Sequence, residues 1–469
     1  MEEAILNAAK AKRLSRDFTQ GPILSQILMF ALPLIATSVL QRLFNTADAV
    51  MVGSFSGTPE ECETALAAVG SCGSLIDLVV SLFMGLAVGA GICVAHDIGA
   101  KLFRDVSRVV HTAVIAASVC GVAVMLFGLL MARPLLLLMG TGNGDAAVLD
   151  QAVMYMQAYF CGIPASLVYN YCASMLRSSG DSSHPMIFLT VAGLVNVLLN
   201  LVTVVGFGWG AMGVGIATAV SQWVACIWVL LFMLRTDGPC KLELGKLRVD
   251  RKKLRRIILL GIPAGIQGSL FSVSNVLIQS SMNTFGKVVV AGNTAASNLE
   301  GYIYATQNAL YHTALTFVGQ NVGARKFDRL KKCILWCVVV VTVVGLFFGL
   351  TAYIFGETLL SIFAPDNEAV VQAGLRKLAI TGLTQFLCGL MEVGCGVLRG
   401  LGNSVTPMIV SLLGSCVLRV VWVYTVFALY PSPETLYLSY PVTWVITASV
   451  HYLFCGVTLR KKRCLAEAM

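Results

Sequence analysis

Long apolar stretches recur along the chain and are separated by short polar segments. A helix needs about 20 apolar residues to cross a bilayer and satisfies its own backbone hydrogen bonds there. Twelve windows of this kind can be recognised: 25–50, 63–94, 108–132, 150–176, 186–206, 211–234, 256–283, 288–318, 331–355, 372–398, 406–428 and 439–459. The pattern predicts an all-α membrane protein with twelve transmembrane helices.

The positive charges test this count. Most of the 33 Lys and Arg residues fall in every second loop, as the positive-inside rule requires for an even number of spans with both termini cytoplasmic. Four cations are instead assigned to the outer side: Arg133, Lys287, Arg376 and Lys377. The net charge of +9 is therefore explained by topology and by contact with anionic lipid, without a nucleic-acid partner.

Composition agrees with a lipid-facing exterior. Hydrophobic residues make up 57% of the 469 positions and charged residues only 12%, with a mean hydropathy of +0.80. A soluble domain carries about 25% charged residues. The lipid bilayer is therefore the expected surrounding of this chain.

The longest polar stretch divides the chain in the middle. It predicts a cytoplasmic linker at 235–254, between one six-helix bundle at 22–234 and a second at 255–460. Residues 1–21 and 461–469 are then a cytoplasmic N-terminal segment and a cytoplasmic tail.

The two halves carry matching motifs. Leu176–Ile187 reads LRSSGDSSHPMI and Leu398–Ile409 reads LRGLGNSVTPMI, while IGAKLFRDVSR from Ile98 parallels VGARKFDRLKK from Val322. Six spans per half give both halves the same orientation, as in transporters built from parallel repeats with a substrate cavity between them. Four residues of the repeat are expected to be structural: Pro33 and Pro263 in the first helix of each half, and Arg177 and Arg399 at the cytoplasmic ends of the fourth and tenth helices.

These motifs carry a family resemblance. The pair LRxxGxSxxPM and xGAxxF resembles the multidrug and toxin extrusion (MATE) family, and LPLIATSVLQRLFNTADAVMVG resembles its bacterial DinF-type branch. The resemblance implies a monomeric antiporter of the bacterial inner membrane that works by alternating access between two pseudo-symmetric bundles. It implies export of amphipathic, cationic, drug-like molecules in exchange for protons or sodium, with no cofactor beyond the coupling ion.

Acidic residues inside apolar helices are costly and are functional candidates by default. Asp48 is the strongest of them, and the resemblance implies that the acid of the first helix couples transport to a cation. Two polar faces with i, i+4, i+7 spacing form the predicted coupling site: Gln41, Asn45 and Asp48 on the first helix, and Asn196, Asn200 and Thr203 on the fifth. Some relatives carry an aspartate where Asn200 stands.

Further polar, aromatic and sulfur-containing residues are candidates for a substrate cavity. Glu392 is the best candidate in the second half, with a structural pair to Arg419 or to a backbone group as the alternative. Asp77 is a further intramembrane acid that could be functional. The other predicted cavity residues are Glu300, Gln267, Asn275, Met84, Met391, Tyr155 and Tyr169.

The motifs of common enzymes are missing from the sequence. It contains no GxxxxGK[ST], HExxH or GxSxG pattern, so the protein is not expected to be an enzyme and export must be driven by an ion gradient. Two alternatives remain open. A flippase of lipid-linked saccharides would need basic residues in its cavity, whereas only Arg42 and Arg419 are assigned to spans; a membrane-embedded enzyme would need clustered catalytic residues.

Overall fold

The computed structural model describes residues 16–141, 146–363 and 367–467. The regular structure of these residues is helical, and each of the twelve predicted windows coincides with a helical segment. In chain order the segments are α1 (Ile23–Phe55), α2 (Pro59–Gly99), α3 (Phe103–Leu138), α4 (Ala146–Ser178), α5 (Ser183–Gly206), α6 (Gly210–Arg235), α7 (Arg251–Met282), α8 (Lys287–Gly323), α9 (Phe327–Ile354), α10 (Glu368–Gly382 and Gln385–Gly400), α11 (Val405–Phe427) and α12 (Pro433–Glu467).

Not all of these helices are equally apolar. Within the described residues, nine are individually long and apolar enough to cross a membrane, and α10 qualifies as a tenth when its two segments, bent by 44°, are taken together. The remaining two, α4 and α8, are long but carry many Tyr, Asn, Gln and Thr side chains. Helix α4 packs against α2, α3 and α6, and α8 packs against α9 and α10. Because neighbouring helices cover them, these two tolerate polar residues that lipid would not.

Internal packing divides the described chain into two compact units. Unit 1 contains Arg16 and Leu40–Gly265, and unit 2 contains Asp17–Val39 and the described part of Ile266–Met469. The division therefore passes through α1 and α7 instead of falling in the polar linker. The domain boundaries taken from the sequence stay a prediction, and residues 1–15 of the N-terminal segment lie outside the described part.

The repeat seen in the motifs is visible in the backbone. Lys101 and Arg325 occupy equivalent positions after the GA pair and adopt φ of 59° and 56°. Gly180 and Gly402 are equivalent in the LRxxG motif, with φ of 95° and 83°. A left-handed conformation is uncommon for a residue with a side chain. Its recurrence at matched positions indicates that both units use the same turns at these helix ends.

Unit 1 is tightened by small residues where α2 meets the first half of α7. A Cβ atom on Gly85 would lie 2.0 Å from the backbone nitrogen of Gly265, and one on Gly89 would lie 2.4 Å from the carbonyl oxygen of Ile257. The two backbones are therefore in direct contact, as in other close helix crossings of membrane proteins.

The predicted linker is packed onto unit 1. The backbone N–H of Glu243 donates to a ring nitrogen of His111 at 3.0 Å, and the N–H of Asp250 donates to Thr112 Oγ1 at 3.0 Å. Backbone donors of Lys253 and Lys252 hold the pKa of the Asp250 carboxyl below its ordinary value. Asp250 thus caps the start of α7 by accepting from the backbone N–H groups of Lys252 and Lys253.

The same end of α7 is joined to α2 by charge. Lys253 Nζ lies 2.8 Å from one carboxylate oxygen of Asp97, and Arg256 Nη1 lies 3.3 Å from the other. Asp97 is buried, so the two cations supply the charge balance that a carboxylate needs away from water.

In unit 2, the chain just before α1 packs against the end of α8 and the start of α9. Phe18 is fully buried and stacks on Phe317 with ring centroids 4.0 Å apart. Arg329 donates to the backbone oxygens of Phe18, Gln20 and Gly21 at 2.8–3.1 Å. The described end of the predicted N-terminal segment is therefore a docked part of unit 2.

Candidate functional site

The acid predicted to couple transport meets a neutral amide in unit 1. Asn200 Nδ2 donates to Asp48 Oδ1 at 2.6 Å, joining the second half of α1 to α5. Asn200 is fully buried, and Asp48 is partly buried. The polar chain continues from Asn200 to Asn196 and from Asn196 to Thr218 of α6, each contact at 3.4 Å. The two polar helix faces recognised in the sequence thus meet through Asp48 and Asn200.

No cation pairs with Asp48 within the described residues. Its electrostatic neighbours include Tyr155 and Tyr159 of α4, which also lie close enough to Asp77 to feel its charge. Arg42 lies about one and a half turns before Asp48 on α1. It interacts electrostatically with Asp77, and in the described part it forms no ion pair with Asp48. The carboxylate of Asp48 is therefore held by hydrogen bonding alone.

The amide of Asn200 can serve both charge states of this acid. Its Nδ2 donates to a carboxylate. Its Oδ1 is buried and has no hydrogen-bond partner among the described residues, so it can accept from a protonated acid or bind a cation. A rotation of the amide by half a turn exchanges the two roles. The arrangement is chemically suited to a site that gains and loses a proton or a small cation.

Three of the six predicted coupling residues do not join this contact. Gln41 and Asn45 are exposed on α1. Thr203 Oγ1 bonds to the backbone oxygens of Leu199 and Gly213 at 2.8 and 3.1 Å, so it fastens α5 to α6. Thr218 and Tyr159 were missed by the sequence analysis; Tyr159 follows Tyr155 by four residues on α4, which is the signal that could have found it.

Unit 2 contains an intramembrane acid of a different kind. Lys377 Nζ lies 3.3 Å from Glu300 Oε2 and also donates to Ser297 Oγ and, at 3.4 Å, to the backbone oxygen of Asn293. Thr381 Oγ1 donates to the other oxygen of Glu300. We call these five residues the Lys377 cluster. Lys377 is one of the four cations assigned to the outer side, which stays a prediction; its side chain is only 5% exposed and lies inside the helix packing.

Glu392 is buried on α10, and the proposed pair with Arg419 is wrong. The Arg419 guanidinium lies 4.4 Å from the ring centre of Tyr440 and donates to Thr443 Oγ1 at 3.2 Å. In the described part of the chain Glu392 makes no ion pair, and its electrostatic neighbours include Tyr304 and Arg399.

Arg399 holds another predicted cavity residue. Its guanidinium donates to Tyr311 Oη at 2.5 Å and to Gln267 Oε1 at 2.9 Å, and it lies over the Tyr311 ring. Gln267 is thus fixed by Arg399 inside unit 2.

The other predicted cavity residues fall in different surroundings. Tyr169 is buried and donates to the backbone oxygen of Pro185 at 2.9 Å, while the sulfur of Met391 accepts from Ser415 at 3.3 Å. Tyr155 is buried, Met84 is partly buried and Asn275 is exposed. A substrate cavity built from these residues stays a prediction.

The predicted structural residues lie where the repeat places them. Pro33 and Pro263 lie within α1 and α7, and the carbonyl of Pro33 accepts from Thr37 at 2.7 Å. Arg177 lies in the last turn of α4, and its buried Nε has no hydrogen-bond partner in the part of the chain that the structure covers. No group of three or more His, Cys, Asp or Glu side chains in the described residues is arranged to hold a metal ion.

Twelve helical segments, duplicated turns and charged residues buried among apolar helices define a polytopic membrane protein built from a repeated unit. The comparisons with known proteins give its family: the MatE family model matches residues 33–202 and 263–425, and the chain belongs to this family. Membership confirms the resemblance seen in the motifs and the expectation that the protein is not an enzyme.

Individual relatives are similar over nearly the whole chain. "Probable multidrug resistance protein YoeA" of Bacillus subtilis is 26% identical over 444 residues, covering 93% of this chain and 94% of the relative. "Probable multidrug resistance protein NorM" of Thermotoga maritima is 24% identical, covering 83% of each chain.

Solved structures confirm the fold. The outward-facing conformation of a multidrug resistance MATE family transporter matches with a TM-score of 0.87 at 19% identity, covering 97% of this chain and 98% of the other. A transporter of the same superfamily from Pyrococcus furiosus matches with a TM-score of 0.88 at 20% identity, covering 95% of this chain and 98% of the other. The predicted twelve-helix architecture in two bundles is therefore confirmed.

Proposed function

We propose that this MATE-family protein exports amphipathic, cationic, drug-like molecules in exchange for protons or sodium. The proposal places it as a monomer in the bacterial inner membrane, with both termini cytoplasmic. The curated relatives YoeA and NorM are named as multidrug resistance proteins, which supports small-molecule export as the class of activity.

The observation that carries the coupling proposal is the 2.6 Å hydrogen bond between Asn200 and Asp48. The bond joins a carboxylate without a paired cation to an amide that can donate or accept. Binding of a proton or cation here neutralises Asp48, and the charged and neutral forms then favour different conformations of the transporter. A ligand shifts such a balance only by its difference in affinity for the two states, which an acid of changing exposure provides.

The flippase alternative is not favoured by the buried cations. A cavity for lipid-linked diphosphate needs basic groups free to bind it. In the described structure, Lys377, Arg399 and Arg419 are each engaged by side chains of their own unit. An anionic lipid carrier would have to displace these internal partners.

Replacement of Asp48 by Asn tests the proposal. In a host lacking its own drug pumps, the wild-type protein should lower ethidium accumulation, and Asp48→Asn should return it to the level of the empty vector. Asp150→Asn is the control, since it removes an acid of unit 1 whose side chain is 59% exposed and lies near Arg133. Full efflux by a normally inserted Asp48→Asn variant would contradict the coupling role of Asp48.

Proteoliposomes then identify the coupling ion. Substrate added to liposomes containing the purified protein should release internal protons or sodium, and the same measurement on Asp48→Asn should show neither flux. Substrate movement without any ion movement would overturn the antiport mechanism while leaving export intact.

A further inference from the structure

The Lys377 cluster in unit 2 has the composition of a cation site. Asn293, Ser297 and Glu300 follow one another at i, i+4 and i+7 and therefore lie on one face of α8. Facing them is the end of the first segment of α10, where Leu378–Gly382 forms a π-helical turn before the 44° bend. Interrupted helices commonly bind Na⁺ or H⁺ in transporters, because their backbone and side-chain oxygens become available as ligands.

The oxygens of this site match the donors of one ammonium group. A lysine ammonium has three N–H donors. Lys377 Nζ has three acceptors: Glu300 Oε2 at 3.3 Å, the carbonyl of Asn293 at 3.4 Å and Ser297 Oγ. A carboxylate, a backbone carbonyl and a hydroxyl are also the groups that bind a small alkali cation. The ammonium therefore stands where such an ion would stand.

Burial explains why the position between Glu300, Ser297 and Asn293 must hold a cation. Glu300 is 14% exposed and Lys377 5% exposed, so neither charge is balanced by water. An isolated buried carboxylate is strongly unfavourable, and a paired one is tolerated. The second oxygen of Glu300 accepts from Thr381, so each carboxylate oxygen has an internal partner.

We propose that Lys377 is a built-in cation that fills an alkali-cation site formed by Glu300, Ser297 and Asn293. The Glu300 site of unit 2 consequently needs no external alkali cation. The inference does not depend on the transported substrate or on Asp48, and it concerns an ion site in the other unit.

The principal test removes the ammonium and offers a free ion in its place. The thermal unfolding temperature of purified Lys377→Met is measured in NaCl, KCl and choline chloride of equal ionic strength. We expect a saturable rise of about 3 °C or more in NaCl or KCl over choline chloride. The double variant Lys377→Met/Glu300→Gln should lose this rise, and Arg376→Met, which removes the adjacent exposed cation, should not acquire it. Folded Lys377→Met that responds equally to all three salts would overturn the proposal.

Two further measurements decide the case in which Lys377→Met is not recovered in choline chloride. If folded Lys377→Met can be purified in NaCl or KCl but not in choline chloride, the result supports the proposal. If it cannot be purified folded in any of the three salts while Lys377→Met/Glu300→Gln can, the result contradicts the proposal. In addition, Asp48→Asn retains Lys377 and should show no saturable stabilisation by Na⁺ or K⁺. Stabilisation of Asp48→Asn that disappears when Glu300→Gln is added would show that unit 2 already binds an external ion, and the proposal would be wrong. Each of these measurements reports the stability of the purified protein, so it can be interpreted even if the proposed export function is wrong.

Discussion

The two units share their turns and their helix order, yet they balance an intramembrane acid in different ways. In unit 1, Asp48 receives a hydrogen bond from the neutral amide of Asn200 at 2.6 Å. In unit 2, Glu300 is paired with the ammonium of Lys377 at 3.3 Å. A carboxylate held by an amide keeps a charge that an external ion can neutralise, whereas one held by a lysine is already neutralised. Duplication of a fold therefore does not require duplication of its ion chemistry.

This contrast assigns different roles to the two acids. Asp48 is suited to exchange, because its only polar side-chain partner on the described chain can rotate between donor and acceptor. Glu300 is suited to stability, because both of its oxygens are occupied by Lys377 and Thr381. Substitutions in unit 1 should then act on transport, and substitutions in the Lys377 cluster should act first on folding.

The largest effect on stability is expected from Lys377→Met measured without alkali cations. Removing one partner of a buried pair leaves an uncompensated charge and costs about 3–5 kcal/mol. Reversible unfolding of the purified protein in choline chloride measures this loss. Glu300→Gln in the same chain should recover much of it, because it removes the stranded charge. Equal stability of Lys377→Met and wild type would remove the basis of the comparison.

The sequence predicted the elements of this comparison unevenly. Apolar windows and alternating loop charge were sufficient for twelve helices, because lipid imposes length and polarity on each span. The polar faces containing Asp48 and Asn200 were both visible as i, i+4, i+7 patterns. Their meeting depends on how α1 packs against α5, which the structure supplies.

The Lys377 cluster was missed for a physical reason. A lysine near the outer end of a predicted span normally reaches water, and the sequence analysis assigned Lys377 to the outer side without naming a partner for it. In the structure its ammonium instead contacts Glu300, Ser297 and Asn293 of α8. The spacing of Asn293, Ser297 and Glu300 was present in the sequence, but a helical polar face alone does not reveal which cation it faces.

An intermediate effect is expected from Asn200→Ala in unit 1. The variant removes a hydrogen bond to a charged group, which is worth about 1.5–3 kcal/mol and corresponds to about 10–100-fold in an equilibrium constant. Ethidium efflux should fall by about tenfold or more, and the unfolding temperature should fall by less than that of Lys377→Met. The control Thr218→Val removes only the 3.4 Å contact at the far end of the polar chain and should leave efflux near the wild-type rate.

Efflux by Asn200→Ala at the wild-type rate would show that Asp48 works without its amide partner. In that case the difference between the units would lie in the presence of Lys377 alone. If Thr218→Val impaired efflux as strongly as Asn200→Ala, the functional group would be the whole polar chain from Asp48 to α6.

The smallest loss of stability is expected from Arg376→Met. This variant allows a direct comparison with Lys377→Met at the adjacent position of the same helix. Arg376 lies 3.9 Å from Glu434, and the two side chains are 74% and 42% exposed, so water screens the pair. Such pairs contribute about 0–1 kcal/mol, and we expect a loss of stability below about 0.5 kcal/mol in the unfolding assay used for Lys377→Met. The two cations carry the same charge and are neighbours in sequence, so a large difference between the variants must come from burial and partner. A loss for Arg376→Met as large as that for Lys377→Met would instead point to the helix end itself, and the special role of the ammonium in unit 2 would have to be abandoned.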